Sequence, residues 1–138
     1  MKIHRGRLPG APSQHRTDTF TGTVWADPVL AERQPAVSVN TVCFTPGART
    51  YWHSHADGQI LVVTHGRGLV RTREGSEAAL TAGDVVYVPP GEEHWHGAAT
   101  DTMLIHLAIS LGRTQWNDEV ADDLYRRVAA AADGGSSA

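Results

Sequence analysis

Two histidines separated by one residue, His53 and His55, are the first candidates for chemistry in this chain. Side chains at positions i and i+2 of a β-strand project from the same face, so two imidazoles at this spacing could bind one metal ion. Histidine is also abundant, with eight copies among 138 residues. Because a single His-x-His pair arises easily by chance in such a chain, the pair indicates a metal site only together with further ligands.

The residues around this pair form a longer pattern in two halves. Its members are Gly47, His53, His55, Gln59 and Gly66, followed by Gly83, Pro89, Gly91 and His94. The pattern resembles the two sequence motifs of the cupin superfamily, which are small β-barrels of jelly-roll type. The detailed resemblance covers residues 45–97. It implies a site for one divalent metal ion, and the ligands it implies are His53, His55, Gln59 and His94.

Two positions depart from the cupin pattern. Gln59 stands where an acidic residue is usual, and Ala98 stands where an asparagine is often found. Three neutral imidazoles and an amide oxygen would leave the full 2+ charge on the ion, whereas a carboxylate would cancel one unit. Such an ion is a stronger Lewis acid and a poorer site for Fe(III), which favours lyase, isomerase or hydrolytic chemistry over oxygen activation. The ligand types allow Mn, Fe(II), Ni, Co or Zn.

Four short segments are similar to a narrower group of cupins. They are residues 46–50, 58–59, 94–98 and 106–109. They resemble the small bacterial cupins that include the manganese-dependent hydroxynitrile lyases, and they also resemble the cupins associated with carboxymuconolactone decarboxylases. This resemblance implies a lyase that splits a cyanohydrin into an aldehyde and HCN, or joins the two. A metal-dependent cyclase or isomerase of an aromatic or polyketide metabolite, a cupin dioxygenase, and a non-catalytic metal cupin that binds a small molecule remain alternatives.

Two further histidines, His96 and His106, are candidate general bases. His96 shares the strand parity of His94, and His106 alternates with the small residues Ala108 and Ser110, which leave space for a ligand. An unligated imidazole beside the ion would titrate near neutral pH and could move a proton. The competing interpretation is a pair of buried histidines that hydrogen-bond to the backbone.

The candidate substrate-binding residues come from several strands. Asn40 and Val42 share one strand face, and Ser110 lies on the face of His106, so all three are predicted to border a pocket inside the barrel. The aromatic residues Tyr51, Trp52 and Trp95 are weighed as pocket walls against the commoner role of core packing. We expect a small-molecule substrate.

Composition and missing motifs exclude several other functions. The formal net charge is -3 and the apolar runs are short, so the sequence predicts no nucleic-acid partner and no membrane partner. Residues 66–68 lack the strand–helix setting and the lysine of a phosphate-binding loop, and no Gly-x-Ser-x-Gly motif occurs. With Cys43 as the single cysteine, no internal disulfide can form, which favours the cytoplasm.

The elements that must position these residues are short strands punctuated by Gly and Pro. Between about residues 19 and 110 their spacing predicts an all-β sandwich or barrel, which agrees with the cupin jelly-roll that the resemblance implies. Separate strands are expected at 59–65 and 69–73.

The last element is predicted to be an α-helix over residues 117–132. Asn117 is its expected N-cap, Val120, Leu124 and Val128 its apolar stripe, and Gly134-Gly135 its stop. The predicted organisation is an N-terminal arm or lead-in strand over residues 1–18, a single cupin domain over 19–133, and a flexible tail over 134–138. The apolar strand face that carries Met103, Ile105, Leu107 and Ile109 favours a homo-oligomer, either a dimer or a tetramer.

Overall fold

The structure is a computed structural model that describes residues 1–136 of the chain. Over these residues it contains twelve strands and one helix. In chain order they are β1 (Gln14–Arg16), β2 (Phe20–Thr21), β3 (Val24–Arg33), β4 (Ala36–Phe44), β5 (Arg49–Thr50), β6 (His53–His55), β7 (Gly58–Thr72), β8 (Glu77–Thr81), β9 (Val85–Val88), β10 (His94–Ala98), β11 (Leu104–Leu111), β12 (Thr114–Trp116) and α1 (Asp122–Ser136).

The strands form two antiparallel sheets that share β7. The first sheet has the order β1-β3-β4-β11-β7-β9, and in the second β7 pairs with β8 and β10, which continues to β5 and β2. Strand β6 pairs with β10 on one side and with β12 on the other. The sheets close around a common interior, so the prediction of an all-β jelly-roll barrel with a C-terminal helix is confirmed.

Strand β7 replaces two predicted strands with one long, bent strand. Its first half pairs with β11 and β9, and its second half pairs with β10 and β8. The change of sheet occurs at Gly66, whose φ is +79 degrees, a left-handed value that glycine adopts without strain. A Cβ atom at Gly66 would lie 1.8 Å from the carbonyl oxygen of Met103. Only glycine therefore lets β7 bend this close to the start of β11.

Two apolar clusters stabilise the molecule. The barrel core lies between the sheets and contains Val24, Ala26, Val42, Phe44, Ala48, Leu61, Val63, Val70, Leu80, Ala98, Leu104 and Ala108. The helix-side core lies on the other face of the second sheet and contains Trp52, Leu69, Trp95, Val120, Tyr125, Val128 and Ala129. Strand β10 separates the two clusters, because its alternate side chains face opposite sides.

The C-terminal helix differs from its prediction at both ends. It begins at Asp122 rather than near Asn117, because the backbone N–H of Asn117 donates to Trp52 O at 2.8 Å and that of Trp52 donates to Asp118 O at 2.9 Å. This pairing holds the preceding segment extended. Gly134-Gly135 does not stop the helix, which reaches Ser136; glycine costs about 1 kcal/mol in a helix but does not prevent one.

The ends of the chain complete the fold. The lead-in segment contains β1, which pairs with β3 as the outer strand of the first sheet. Residues 134–136 of the predicted tail belong to the helix, and residues 137 and 138 lie outside the described residues. Among the described helices, none has the length and apolar character needed to cross a membrane.

Candidate metal centre and proton-transfer pair

A cavity of about 250 Å³ opens into the barrel beside the predicted ligands. Its lining comes from both sheets, and no Asp or Glu belongs to it. The lining residues are Arg16, Thr19, Phe20, Ala26, Ser38, Asn40, Val42, Phe44, Thr50, His53, His55, Gln59, His96, His106, Ala108, Ser110, Thr114 and Trp116. Four histidines line this space, which we call the histidine cavity.

Strand pairing brings the predicted metal ligands together. His94 of β10 is the direct partner of His53 of β6, and their ring centroids lie 4.3 Å apart. Because β6 alternates, His55 projects from the same face as His53, and its ring centroid is 5.7 Å from that of His94. Gln59 enters from β7, where its Oε1 is 2.9 Å from His94 Nε2.

The outer nitrogen of each of these histidines is anchored. His53 Nδ1 lies 2.9 Å from Tyr51 O, and His94 Nδ1 lies 3.0 Å from Glu92 O. A carbonyl oxygen only accepts hydrogen bonds, so both Nδ1 atoms carry the proton and donate it. His55 Nδ1 contacts the Thr114 hydroxyl at 3.0 Å, and its Nε2 is buried without a partner. Histidines that bind metals are oriented in this way, with the free Nε2 turned towards the ion.

The contact between His94 and Gln59 fits a cation shared by the two side chains. With its proton on Nδ1, His94 presents an Nε2 lone pair to Gln59 Oε1, which is also an acceptor. In the orientation that turns Oε1 towards His94, Gln59 Nε2 lies 3.0 Å from Ser110 Oγ, a hydroxyl that can accept its hydrogen bond. Two acceptors then face each other at 2.9 Å, an arrangement that a shared cation stabilises. The donor set therefore fits a divalent metal ion.

The structure also adds a histidine to this group. Ligand atoms of His53, His94 and His96 all lie within 4.8 Å of one another, and all three side chains are buried. His55 is not part of that closest triple. The set of His53, His55, Gln59 and His94 stays a prediction, with His96 as the further donor that the structure brings near.

Burial keeps these imidazoles neutral, which is the form that binds metals. Burial lowers the pKa of His55 to about 4, a shift that neighbouring His94 increases and the nearby Gln59 side chain opposes. Burial, and then the proximity of His94, holds the pKa of His53 well below its ordinary value. Burial also lowers the pKa of His94.

His96 and His106 form a buried pair next to this centre. His106 Nε2 lies 3.0 Å from His96 Nδ1, and His106 Nδ1 and His96 Nε2 are buried without partners. Phe44 packs against both rings, with centroid distances of 5.2 Å to His106 and 5.7 Å to His96. Burial lowers the pKa of His106 to about 4 and that of His96 well below its ordinary value, in the latter case with a further contribution from His106. Both rings are neutral at pH 7.

The predicted substrate-binding residues divide into two groups. Asn40, Val42 and Ser110 line the histidine cavity, and Ser110 also accepts the hydrogen bond from Gln59. Trp95 does not line the cavity, because alternation along β10 turns its side chain away from His94 and His96 and buries it in the helix-side core. Tyr51 is also absent from the lining and contacts the site through its carbonyl oxygen on His53.

Trp52 also lies outside the cavity, where it packs in the helix-side core beneath the Arg73 guanidinium at 3.9 Å. The prediction of pocket walls is therefore corrected to core packing for Trp52 and Trp95, and Tyr51 lies outside the cavity lining.

Sequence reasoning missed part of the lining. Thr114 and Trp116 come from β12, Arg16 comes from the lead-in segment, and Thr19 and Phe20 directly follow that segment. For β12, the alternation of side chains along a strand could have indicated this, because Thr114 and Trp116 are two residues apart and share one face. The lead-in segment offered no comparable signal, because its polar sequence indicates a loose arm rather than a wall of the site.

Comparison with known proteins agrees with this geometry. The family described as Cupin domain matches residues 40–110, just over half of the chain. The chain belongs to the cupin family. This cupin is 47% identical over 115 residues to a protein named (R)-mandelonitrile lyase from Granulicella tundricola, a match covering 80% of this chain and 88% of the relative.

Two further proteins are similar to this cupin. The crystal structure of a cupin-like protein from Thermotoga maritima has a TM-score of 0.77 and 39% identity, and the match covers 93% of this chain and 97% of that one. A protein named acireductone dioxygenase from Gluconacetobacter diazotrophicus is 32% identical over 79 residues, which are 54% of this chain and 44% of the relative. These matches support the expectation of an enzyme with a small-molecule substrate.

Proposed function

We propose that this cupin is a metal-dependent lyase that cleaves and forms cyanohydrins. The observation that carries the proposal is the buried His96–His106 pair, which has a partnerless nitrogen at each end and lines the same cavity as the metal-ligand candidates His53, His55 and Gln59. A proton acceptor beside a Lewis acid is what cyanohydrin cleavage requires. The 47% identity to (R)-mandelonitrile lyase supports this assignment.

The metal would be held by His53, His55, Gln59 and His94, with Mn, Zn, Fe and Ni as the candidate ions. When bound, it would act as a Lewis acid towards the hydroxyl or carbonyl oxygen of the substrate. The protein contributes the orientation of these ligands, through the Nδ1 contacts of the three histidines and the hydrogen bond from Gln59 to Ser110.

The histidine pair carries out the proton transfers of the reaction. In cleavage, the bond between the carbinol carbon and the nitrile carbon breaks, the carbonyl forms, and cyanide leaves with the bonding electrons. The hydroxyl proton is lost and cyanide gains one proton to become HCN. His96 Nε2 and His106 Nδ1 are free, so the pair accepts a proton at one end while it releases one at the other. In the reverse direction His106 takes the proton from HCN.

The cavity favours a small substrate. Its volume of about 250 Å³ lies below the ~300–1,000 Å³ that is usual for drug-sized ligands. Asn40 and Ser110 supply polar contacts and Val42 an apolar one. A polycyclic substrate of the kind that a polyketide cyclase binds needs more room, so the size of the cavity weighs against that alternative.

The proposal is tested by comparing variants on racemic mandelonitrile, with release of benzaldehyde followed by absorbance. We expect His106→Ala to lower kcat at least 100-fold with metal content unchanged, and His96→Ala to lower kcat by a similar factor, because general acid–base catalysis contributes about 10²–10⁴-fold. His65→Ala, an exposed histidine on β7, is the matched control and keeps full activity. Full activity of both pair variants would contradict the proposed mechanism.

An oxygenase is the second candidate, and the similarity to acireductone dioxygenase favours it. It predicts oxygen uptake by the Fe(II)- or Ni-loaded protein with an enolisable substrate. The neutral Gln59 weighs against it, because less anionic charge stabilises a higher oxidation state poorly. An oxygen electrode distinguishes the two functions, since cyanohydrin cleavage consumes no oxygen.

We also propose that the first sheet binds a second copy of the chain. The residues that alternate outward on β4, β7, β9 and β11 form an outer patch without a charged residue. The outer patch consists of Val39, Thr41, Cys43, Ile60, Val62, Val85, Tyr87, Ile105, Leu107 and Ile109. Val85 is 65% exposed and Tyr87 62% exposed.

The size and chemistry of the outer patch suit a homodimer. Four strands about 4.8 Å apart and about seven residues long give it a flat footprint of about 450 Å². Projecting side chains, and exposed Trp25 and Met103 at the rim, enlarge that area towards the ~800 Å² per partner of a standard interface. The patch itself carries no charge, and Asp27, the acidic residue that borders it beside Thr41, is paired with Arg7, so the patch can meet its own copy in a two-fold interface.

A further inference from the structure

Arg16 is directed into the histidine cavity by strand pairing. It is the last residue of β1 and lies opposite Val24 of β3, whose side chain is fully buried in the barrel core. The preceding residue, His15, lies opposite Trp25 and stacks on its ring on the outside of the barrel, with centroids 4.7 Å apart. Because alternate side chains face opposite sides, Arg16 faces inward, where it joins the cavity lining.

The charge of Arg16 is not balanced by the protein. It is partly buried, and it forms no ion pair or side-chain hydrogen bond with any residue between 1 and 136. The lining contains no carboxylate. Arg49, the buried arginine of the chain, shows the usual arrangement, since its guanidinium pairs with Asp122 and donates to Val120 O. Burial lowers the pKa of Arg16, and no anionic neighbour opposes that effect.

An unpaired cation inside a concave site is an anion-binding element. Burying a charge without a partner is costly, and a guanidinium presents donors whose geometry matches a carboxylate. The other charge expected here, a divalent ion on neutral ligands, is also positive, so the cavity as a whole attracts anions. Thr19 and Ser38 add hydroxyl groups to the same lining.

We propose that Arg16 binds a carboxylate on the substrate, so that the cavity selects small anionic aldehydes or cyanohydrins over neutral ones of the same shape. The part of this inference that concerns the reaction rests on the proposed lyase function, whereas the part that concerns carboxylate binding does not. Arg16 thereby determines specificity, and the histidines transfer the protons of the reaction.

The test is calorimetric binding of two matched probes, 4-formylbenzoate and its methyl ester. Both the chelator-treated and the Mn²⁺-loaded protein are titrated. We expect the wild-type protein to bind the acid about tenfold more tightly than the ester, as for a charge-assisted hydrogen bond. Arg16→Met should remove this preference and leave the affinity for the ester within about twofold, while Arg16→Lys should keep part of it.

Arg33→Met, at an exposed position on β3, is the matched control and keeps the preference. Equal binding of acid and ester by the wild-type protein would overturn the proposal. So would a preference that survives in Arg16→Met, because the carboxylate would then bind the metal or the histidines. Retained Arg16-dependent binding without any turnover of mandelonitrile would contradict the lyase function alone. Should Arg16→Met fail to fold, Arg16→Gln replaces it.

Discussion

At the scale of single residues, the site depends on imidazoles that stay neutral because they are buried. Both His55 and His106 have a pKa of about 4 in the folded chain. Neutral rings are ready to bind a metal or to accept a proton at pH 7. The same property makes the folded protein sensitive to acid, since an unfolded chain protonates these rings more readily than the folded one.

His106 should therefore lower the stability of the protein as the pH falls. Its folded pKa of about 4 lies below the ordinary value of 6.5, so the unfolded chain binds an extra proton between these values and stability is lost as pH falls from 6.5 to 4. The loss from this group is at most about 3 kcal/mol. Urea denaturation of the chelator-treated protein at several pH values measures it. His106→Asn should show a shallower decline, and an identical decline would contradict the assignment.

We expect a higher kcat with Gln59 than with a carboxylate at the same position. Gln59→Glu would neutralise part of the positive charge at the site and would remove the donor to Ser110. We expect kcat on mandelonitrile to fall at least tenfold while one metal ion per chain is retained. Gln115→Glu, at an exposed position on β12, is the control. Unchanged or higher activity of Gln59→Glu would refute the argument from charge.

At the scale of elements, strand alternation explains which site residues were predictable. The His53–His55 pair, Asn40, Val42 and Ser110 face the cavity as their parity requires. Parity also places Trp95 opposite His94 and His96, but the sequence does not reveal that the helix-side core covers that face. The start of the helix was mispredicted because the pairing of Asn117 with Trp52 is a long-range contact. Arg16 was missed for the same reason, since its direction depends on the pairing of β1 with β3.

Helix α1 should lose stability when its anchor to β10 is removed. The Tyr125 hydroxyl donates to Ala98 O at 2.7 Å in a buried position, so Tyr125→Phe leaves that carbonyl without its partner. We expect a loss of about 1–2 kcal/mol in the free energy of unfolding, measured by urea denaturation. The comparison variant is Thr81→Val, which removes a hydroxyl from an exposed side chain on the second sheet and should change stability by less than about 0.5 kcal/mol. An equal loss of stability in both variants would contradict the proposed role of the hydrogen bond between Tyr125 and Ala98.

At the scale of the whole molecule, the inner faces of the two sheets enclose the cavity. The outer face of the second sheet is covered by the helix-side core, and the outer face of the first sheet is not covered within one chain. Short strands and their turns predicted this architecture, because each strand buries one face and the turn residues fix its ends. The sequence did not reveal that residues 58–72 form one strand, since that depends on the close approach of Gly66 to Met103.

The outer patch should hold two copies of the chain together. Leu107 lies between Thr41 and Val62 in the middle of the patch, so Leu107→Lys would place a charge on each side of the proposed interface. We expect light scattering to give at least a dimer for the wild-type protein and a monomer for Leu107→Lys. Thr81→Lys, exposed on the second sheet, should not change the mass. A monomeric wild-type protein would contradict the proposal directly.

The central claim, that three histidines and Gln59 form a metal centre for cyanohydrin cleavage, is tested most directly by one titration. The chelator-treated protein receives increasing Mn²⁺ while benzaldehyde release from mandelonitrile is recorded. We predict a rate that rises in proportion to added metal and reaches a plateau at one ion per chain. A rate that equals the background at every metal concentration, or that is already maximal without metal, would contradict the account.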